Sequence, residues 1–156
     1  MALDKLDLKI LFELIRNSRL SSRELSRRLG VSVGTVELRR KRLEDLGIIK
    51  SYTLELDLEK LGYIFPVIID IKVRGGYLRE VESILKTYDN VLSIYDVTGE
   101  YDITVLAWFR TRGGLDQFIK EVQKIEYIDR THTRLILNIV AESKKDGFIT
   151  QLFNVF

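Results

Sequence analysis

Four cations in succession, Arg39, Arg40, Lys41 and Arg42, are the residues of this 156-residue chain whose type and spacing could do chemistry. That chemistry is the binding of a polyanion, because guanidinium and ammonium groups neutralise phosphates. The four lie in the stretch Ser32–Leu46, which opens on a good N-cap and is followed by Gly47, a residue type suited to the turn after a helix. Val36, Leu43 and Leu46 recur at helical spacing and face a core, while the cations spread over the rest of the helix. A solvated surface helix carries such charges too, so the residues upstream decide the reading. Ser21-Ser22-Arg23-Glu24 has capping-box spacing and opens a short helix that ends at Leu29-Gly30. Two short helices joined at Gly30-Val31, the second of them basic, form a helix-turn-helix whose second helix fits the DNA major groove.

On that helix Ser32, Gly34, Thr35, Glu37, Leu38 and Lys41 lie toward the N-terminal and outer surface and are the candidates for base edges. Glu37 can only accept, which favours a cytosine amino group. Ser22, Arg23, Arg39 and Arg42 are the candidates for phosphates, which position without specifying. Two residues resist the pattern. Arg40 falls inside the apolar arc, from which its guanidinium can snorkel to the rim. Leu38 points away from that arc, toward either a thymine methyl or a partner surface.

Charge is divided along the chain. Residues 1–50 carry a net +5 and the remainder −3, a basic head on a mildly acidic body, so the head is the part that meets nucleic acid. The absence of cysteine excludes disulfides, thiolate metal sites and cysteine catalysis, and one histidine, His132, argues against a histidine metal site. We expect no metal and no cofactor. No apolar run reaches the roughly 18 residues of a membrane span, and the N-terminus lacks the pattern of a signal peptide, so a cytoplasmic protein is expected.

The elements that must hold the basic helix follow from periodicity. Leu3–Asn17 carries a broad apolar stripe, with Asp4 and Asp7 at the positive end of its dipole, and reads as a scaffold helix. Ser22–Leu29 is the second helix, with the small Ser26 where helices cross. Residues 51–58 switch to period two, with Tyr52, Leu54, Leu56 and Leu58 on one face: a lone strand that needs a partner, such as its copy in a second subunit. From residue 64 the pattern is strand, helix, strand, a two-residue turn at Gly99-Glu100, strand, helix, strand. That βαββαβ order is the ferredoxin-like plan, so the chain is α+β. We divide it into a helix-turn-helix domain at 1–50, a β-strand linker at 51–63, a ferredoxin-like domain at 64–144 and an apolar tail at 145–156. The tail either folds back or crosses to another subunit. Ile68, Ile136 and Val140, with Tyr95, Val97, Val105 and Ala107 or their neighbours, give the open sheet face an apolar character that predicts at least a dimer.

These features together resemble the Lrp/AsnC (feast/famine) transcription regulators over nearly the whole chain. The carriers are Leu3-Asp4-Lys5-Leu6-Asp7, Ser22 through Gly30, Thr35-Val36, Arg39, Arg42-Leu43-Glu44, Gly47-Ile48-Ile49, Val97-Thr98-Gly99-Glu100-Tyr101-Asp102 and Thr131-His132-Thr133. The resemblance implies double-stranded DNA as partner, with dimers that present two helices to a pseudo-palindromic operator and assemble to octamers. It also implies an amino-acid effector, for which Gly99, Tyr101, Asp102, Thr131 and Thr133 are the candidates: Asp102 for the ammonium, the Gly99 amide and the threonines for the carboxylate. Arg40 departs from the aliphatic residue usual in the family, and Ser26 from the usual alanine. Siroheme decarboxylases are similar to the family in fold, and their chemistry needs positioned proton donors. Here the lone His132 sits between two threonines and a basic helix has no use in such an enzyme, so a non-enzyme is expected. A DNA-binding protein of purely architectural kind is the other alternative.

Overall fold

The computed structural model describes residues 3–142 and 146–153. Its first compact unit comprises Met1–Glu55 together with Ala141–Phe156, and its second comprises Leu56–Val140.

In the first unit, three helices follow the predicted signals closely: α1 (Lys5–Arg16), α2 (Ser22–Leu29) and α3 (Val33–Asp45). Asp4 and Asp7 form a reciprocal capping box on α1, and Ser21 and Glu24 form another on α2. Gly30 after α2 sits at φ +67°, the left-handed cap that lets the chain turn directly into α3. Ser32 caps α3 by accepting the Thr35 amide at 3.1 Å. Ile10, Leu11, Leu14, Leu20, Leu25, Val36 and Leu43 make the core of this unit. Ser26 is buried at the predicted crossing and donates to the Arg23 carbonyl at 3.3 Å.

The apolar tail folds back. Within Asp146–Phe153 it forms α6, which packs along α1, with Ile149 against the three-helix core. The rest of the tail, residue 145 and residues 154–156, lies outside the described residues.

The second unit is the ferredoxin-like βαββαβ domain: β1 (Phe65–Val73), α4 (Leu78–Leu85), β2 (Val91–Asp96), β3 (Ile103–Phe109), α5 (Arg112–Gln123) and β4 (Ile128–Leu135). The sheet is antiparallel throughout, in the order β2-β3-β1-β4. Val67, Ile69, Ile71 and Val73 of β1 with Ile103, Val105, Ala107 and Phe109 of β3 face α4 and α5, closing a core with Val81, Leu85, Phe118 and Val122.

Four details differ from the sequence reading. Residues 51–57 form no strand, and Tyr52, Leu54 and Leu56 are exposed. An extended segment cannot satisfy its backbone without a neighbour, and none of the described strands pairs with it. Second, the β2–β3 connection is wider than a two-residue turn: Val97 donates to the Asp102 carbonyl at 3.0 Å, leaving residues 98–101 as the loop. The Asp102 carboxylate is drawn to the Val73 amide at 2.8 Å and Lys72 Nζ at 3.0 Å, which takes this end of the hairpin onto β1. Third, β4 stops at Leu135, after which Ile136 makes a last bond to Pro66. Last, the open sheet face is less apolar than its composition suggests. Val105 and Ala107 point to the helices, and the open face presents Ile68, Leu106 and Tyr95 beside Asp70, Lys72, His132 and Arg134. Asp70 is held there by Arg134 at 2.6 Å and Thr104 at 2.7 Å.

Candidate nucleic-acid interface and effector site

Helix α3 owes its position to two carboxylates on α1. Asp7 is fully buried and grips Arg42 Nη1 at 2.7 Å and Arg39 Nη1 at 3.3 Å. Asp4 takes Arg39 at 2.5 Å while accepting the amides of Leu6 and Asp7. The Asp7 amide, with Arg39 beside it, holds the Asp4 carboxyl below its ordinary pKa, and Asp4 in turn raises that of Arg39. Arg39 and Arg42, expected to meet phosphates, are thus engaged as braces between α1 and α3. They are 29% and 35% exposed, so their outer edges still reach solvent.

Arg40 follows the snorkelling route. Its guanidinium leaves the apolar arc to lie over the Tyr52 ring at 5.3 Å from the centroid, donating to Tyr52 Oη at 3.2 Å and Ser22 Oγ at 3.3 Å. Tyr52 Oη donates in turn to Glu44 at 2.8 Å, and burial of the phenol raises its pKa. This cluster ties α2, α3 and the residue after them together, and it uses Ser22, another of the phosphate candidates. Sequence reasoning missed Tyr52 in this role, because period two assigned it to a strand face.

The remaining DNA candidates form an open surface. Ser32, Gly34, Glu37, Leu38 and Lys41 are exposed, Leu38 at 69%, and Arg23 is exposed on α2. Thr35 is half-buried, its hydroxyl 2.8 Å from that of Ser32. These side chains occupy the first three turns and outer side of α3, with Ser32 and Thr35 at the N-terminal end where a recognition helix approaches base edges.

The candidate effector residues gather around the β2–β3 loop and β4, but their polar groups are partly engaged. Asp102 is satisfied by Val73 and Lys72, of which the Val73 amide is the larger cause of its lowered pKa. Thr131 accepts from Gln123 at 3.2 Å. Tyr101 stands beside His132, with ring centroids 6.3 Å apart, and beneath the Arg130 guanidinium at 5.2 Å. Arg130 also pairs with Glu100 of the loop. Gly99 adopts φ +122°, with nothing within 4 Å of an added Cβ. Thr133 is half-buried on β4, opposite Ile69. Among the described residues, no group of His, Asp or Glu is arranged to hold a metal ion and no helix is long and apolar enough to cross a membrane.

A capped helix-turn-helix bearing an exposed helix face, followed by a ferredoxin-like domain, defines a two-domain DNA-binding regulator. Comparison with known proteins gives the same class. A family described as winged helix-turn-helix DNA-binding matches residues 3–50, and the Lrp/AsnC ligand binding domain matches residues 66–146. The chain belongs to the Lrp/AsnC family of helix-turn-helix transcriptional regulators. An uncharacterized HTH-type transcriptional regulator of Pyrococcus furiosus is 47% identical over 142 residues, 91% of this chain and 96% of its own length. The HTH-type transcriptional regulator FL11 of the same organism is 35% identical over 141 residues, 90% and 93% of the two chains. Among solved structures, Escherichia coli AsnC matches with a TM-score of 0.87 at 27% identity, covering 94% of this chain and 99% of that one. A Neisseria meningitidis transcriptional regulator in complex with L-Met matches with a TM-score of 0.85 at 28% identity, covering 92% and 95%.

Proposed function

We propose that this regulator reads double-stranded DNA through the outer surface of α3, acts as a homodimer or higher oligomer in the cytoplasm, and responds to an amino-acid-like effector. The observation that carries the reading is the division of labour on α3: Arg39 and Arg42 brace the helix against α1, while Glu37, Leu38 and Lys41 stand exposed beside the Ser32 cap. A helix so anchored offers a rigid edge to a groove, which favours sequence readout over an architectural role. Ser32, Gly34, Thr35, Glu37, Leu38 and Lys41 are the base-reading group, and Arg23 supplies phosphate contacts, with Ser22, Arg39 and Arg42 adding only their solvent edges. Pairing through the open sheet face gives two such helices, and an operator with half-sites about 34 Å apart. The exposed segment 51–57 then has a neighbour available in the second subunit. For the effector, the loop of residues 98–101 with Thr131 and Thr133 is the first place to look, with Asp102 shaping the loop rather than taking the ammonium. The L-Met complex of the Neisseria relative supports an amino acid as the ligand class.

Footprinting of the purified protein on its own upstream region, with and without each amino acid, tests the whole proposal. Protection of two half-sites one helical turn apart, lost as salt rises, is the expected result. Salt-insensitive or sequence-independent retention overturns the reading.

A further inference from the structure

The second unit contains a cavity that the functional reading leaves unused. It lies at the far end of β3 from the 98–101 loop, and its volume is about 340 Å³, at the lower end of small-molecule sites. Tyr63, Tyr88, Asn90, Phe109, Arg110 and Glu121 are among the residues that line it. Seven residues of β3 separate the two ends, about 23 Å of extended chain.

Its charges are arranged in a particular way. Arg110 lays its guanidinium over the Tyr63 ring, 5.7 Å from the centroid, and has no carboxylate partner within ion-pair distance among the described residues. The chain at Gly62 makes room for it: a Cβ there would stand 3.2 Å from Arg110 Nη2, and the φ of +89° favours glycine independently. Glu121, which also lines the cavity, accepts from the Gln117 amide at 2.8 Å and carries no ion pair among the described residues. Its charge helps burial keep the Tyr88 phenol protonated. Asn90 has its amide nitrogen fixed on the Trp108 carbonyl at 2.7 Å, which leaves its Oδ1 as an acceptor. A cation and an anion thus line one cavity without an ion pair between them, and aromatic rings line it with them.

Two opposite charges in that relation suit a molecule that carries both signs itself. A carboxylate meets the Arg110 fork, an ammonium meets Glu121 and Asn90 Oδ1, and an apolar side group rests on Tyr63, Tyr88 and Phe118. We propose that this cavity is a binding site for a small zwitterion of the α-amino-acid type, separate from the 98–101 loop. The proposal goes beyond the DNA-reading function and does not depend on it.

The test is isothermal titration of the full chain with the twenty L-amino acids, then with the decarboxylated and deaminated analogues of any that bind. The proposal expects at least one amino acid to bind, with each analogue at least tenfold weaker. Arg110→Gln and Glu121→Gln should each weaken that binding at least tenfold, with unliganded circular dichroism unchanged, since neither side chain holds an ion pair among the described residues. Thr131→Val with Thr133→Val should leave it within twofold. Binding that survives both charge variants, or that fails only in the threonine variant, overturns this site and leaves the effector proposal at the loop standing. No binding by any of the twenty overturns it as well, while footprinting without ligand still judges the DNA reading.

Discussion

Removal of the Asp7 carboxylate probes the anchoring of α3 most directly. Asp7 is fully buried, accepts the Asp4 amide at 3.1 Å, and holds both Arg39 and Arg42. Breaking a buried pair by deleting one partner costs about 3–5 kcal/mol when the surviving charge stays dry. Here the survivors do not stay dry: the two arginines are 29% and 35% exposed, and Arg39 retains Asp4. Their rehydration lowers the figure, and loss of half a capping box adds back a part, so Asp7→Ala should cost about 2–3 kcal/mol. Asp7→Asn keeps an acceptor for the cap and removes the charge, and should cost about 1–2 kcal/mol. Urea unfolding of the full chain at fixed protein concentration, with m unchanged, reads both values. Combination with Arg42→Met should show a coupling of at least about 1 kcal/mol. Should both Asp7 variants fall within about 0.5 kcal/mol of the parent, the carboxylate is not what holds α3, and the reasoning fails.

Other consequences are checked as readily. Arg23→Ala should weaken DNA binding evenly across sequences and reduce the slope of log affinity against log salt by about 0.9, read by fluorescence anisotropy at several salt concentrations. Arg42→Ala should destabilise the fold by more than it changes that slope, which a combined unfolding and anisotropy series separates. Asp102 is held below its ordinary pKa by the Val73 amide and then Lys72, so the folded state prefers the ionised form. Its contribution is therefore full above the ordinary aspartate value and lost as pH falls through the lower folded one, a window below about pH 4. Asp102→Asn should flatten acid unfolding in that range, as followed by circular dichroism. Gly99→Ala should cost about 1–2 kcal/mol from its φ of +122° alone, since no neighbour crowds the site, and thermal melts will show it.

Much of the molecule could be read from local signals. The capping box of α2, the glycine that ends it and the βαββαβ order are written in short windows, where spacing and residue type are enough, whereas the Asp4/Asp7 box on α1 was read only as a helix-dipole feature. The anchoring of α3 was not legible in the same way. Arg39 and Arg42 share the composition of a phosphate-binding face, and only the fold brings Asp4 and Asp7, more than thirty residues earlier, beneath them. The pair Asp4/Asp7 facing a basic helix was the available clue, but helix-dipole logic explained it sufficiently. Tyr52 was lost because alternation cannot distinguish a strand from an extended segment tied down by one arginine. Arg110 and Glu121 carried no motif at all, since their relation exists only across a turn and a helix face.

The return of α6 onto α1 has a consequence for biosynthesis. Ile149 of α6 packs against the core of the first unit, yet the ribosome makes that helix only after all the elements of the ferredoxin-like domain. A nascent chain therefore holds a three-helix head that lacks one wall until α6 has left the ribosome, so the final packing of the first unit follows synthesis of the second and closes a unit whose parts are far apart in sequence.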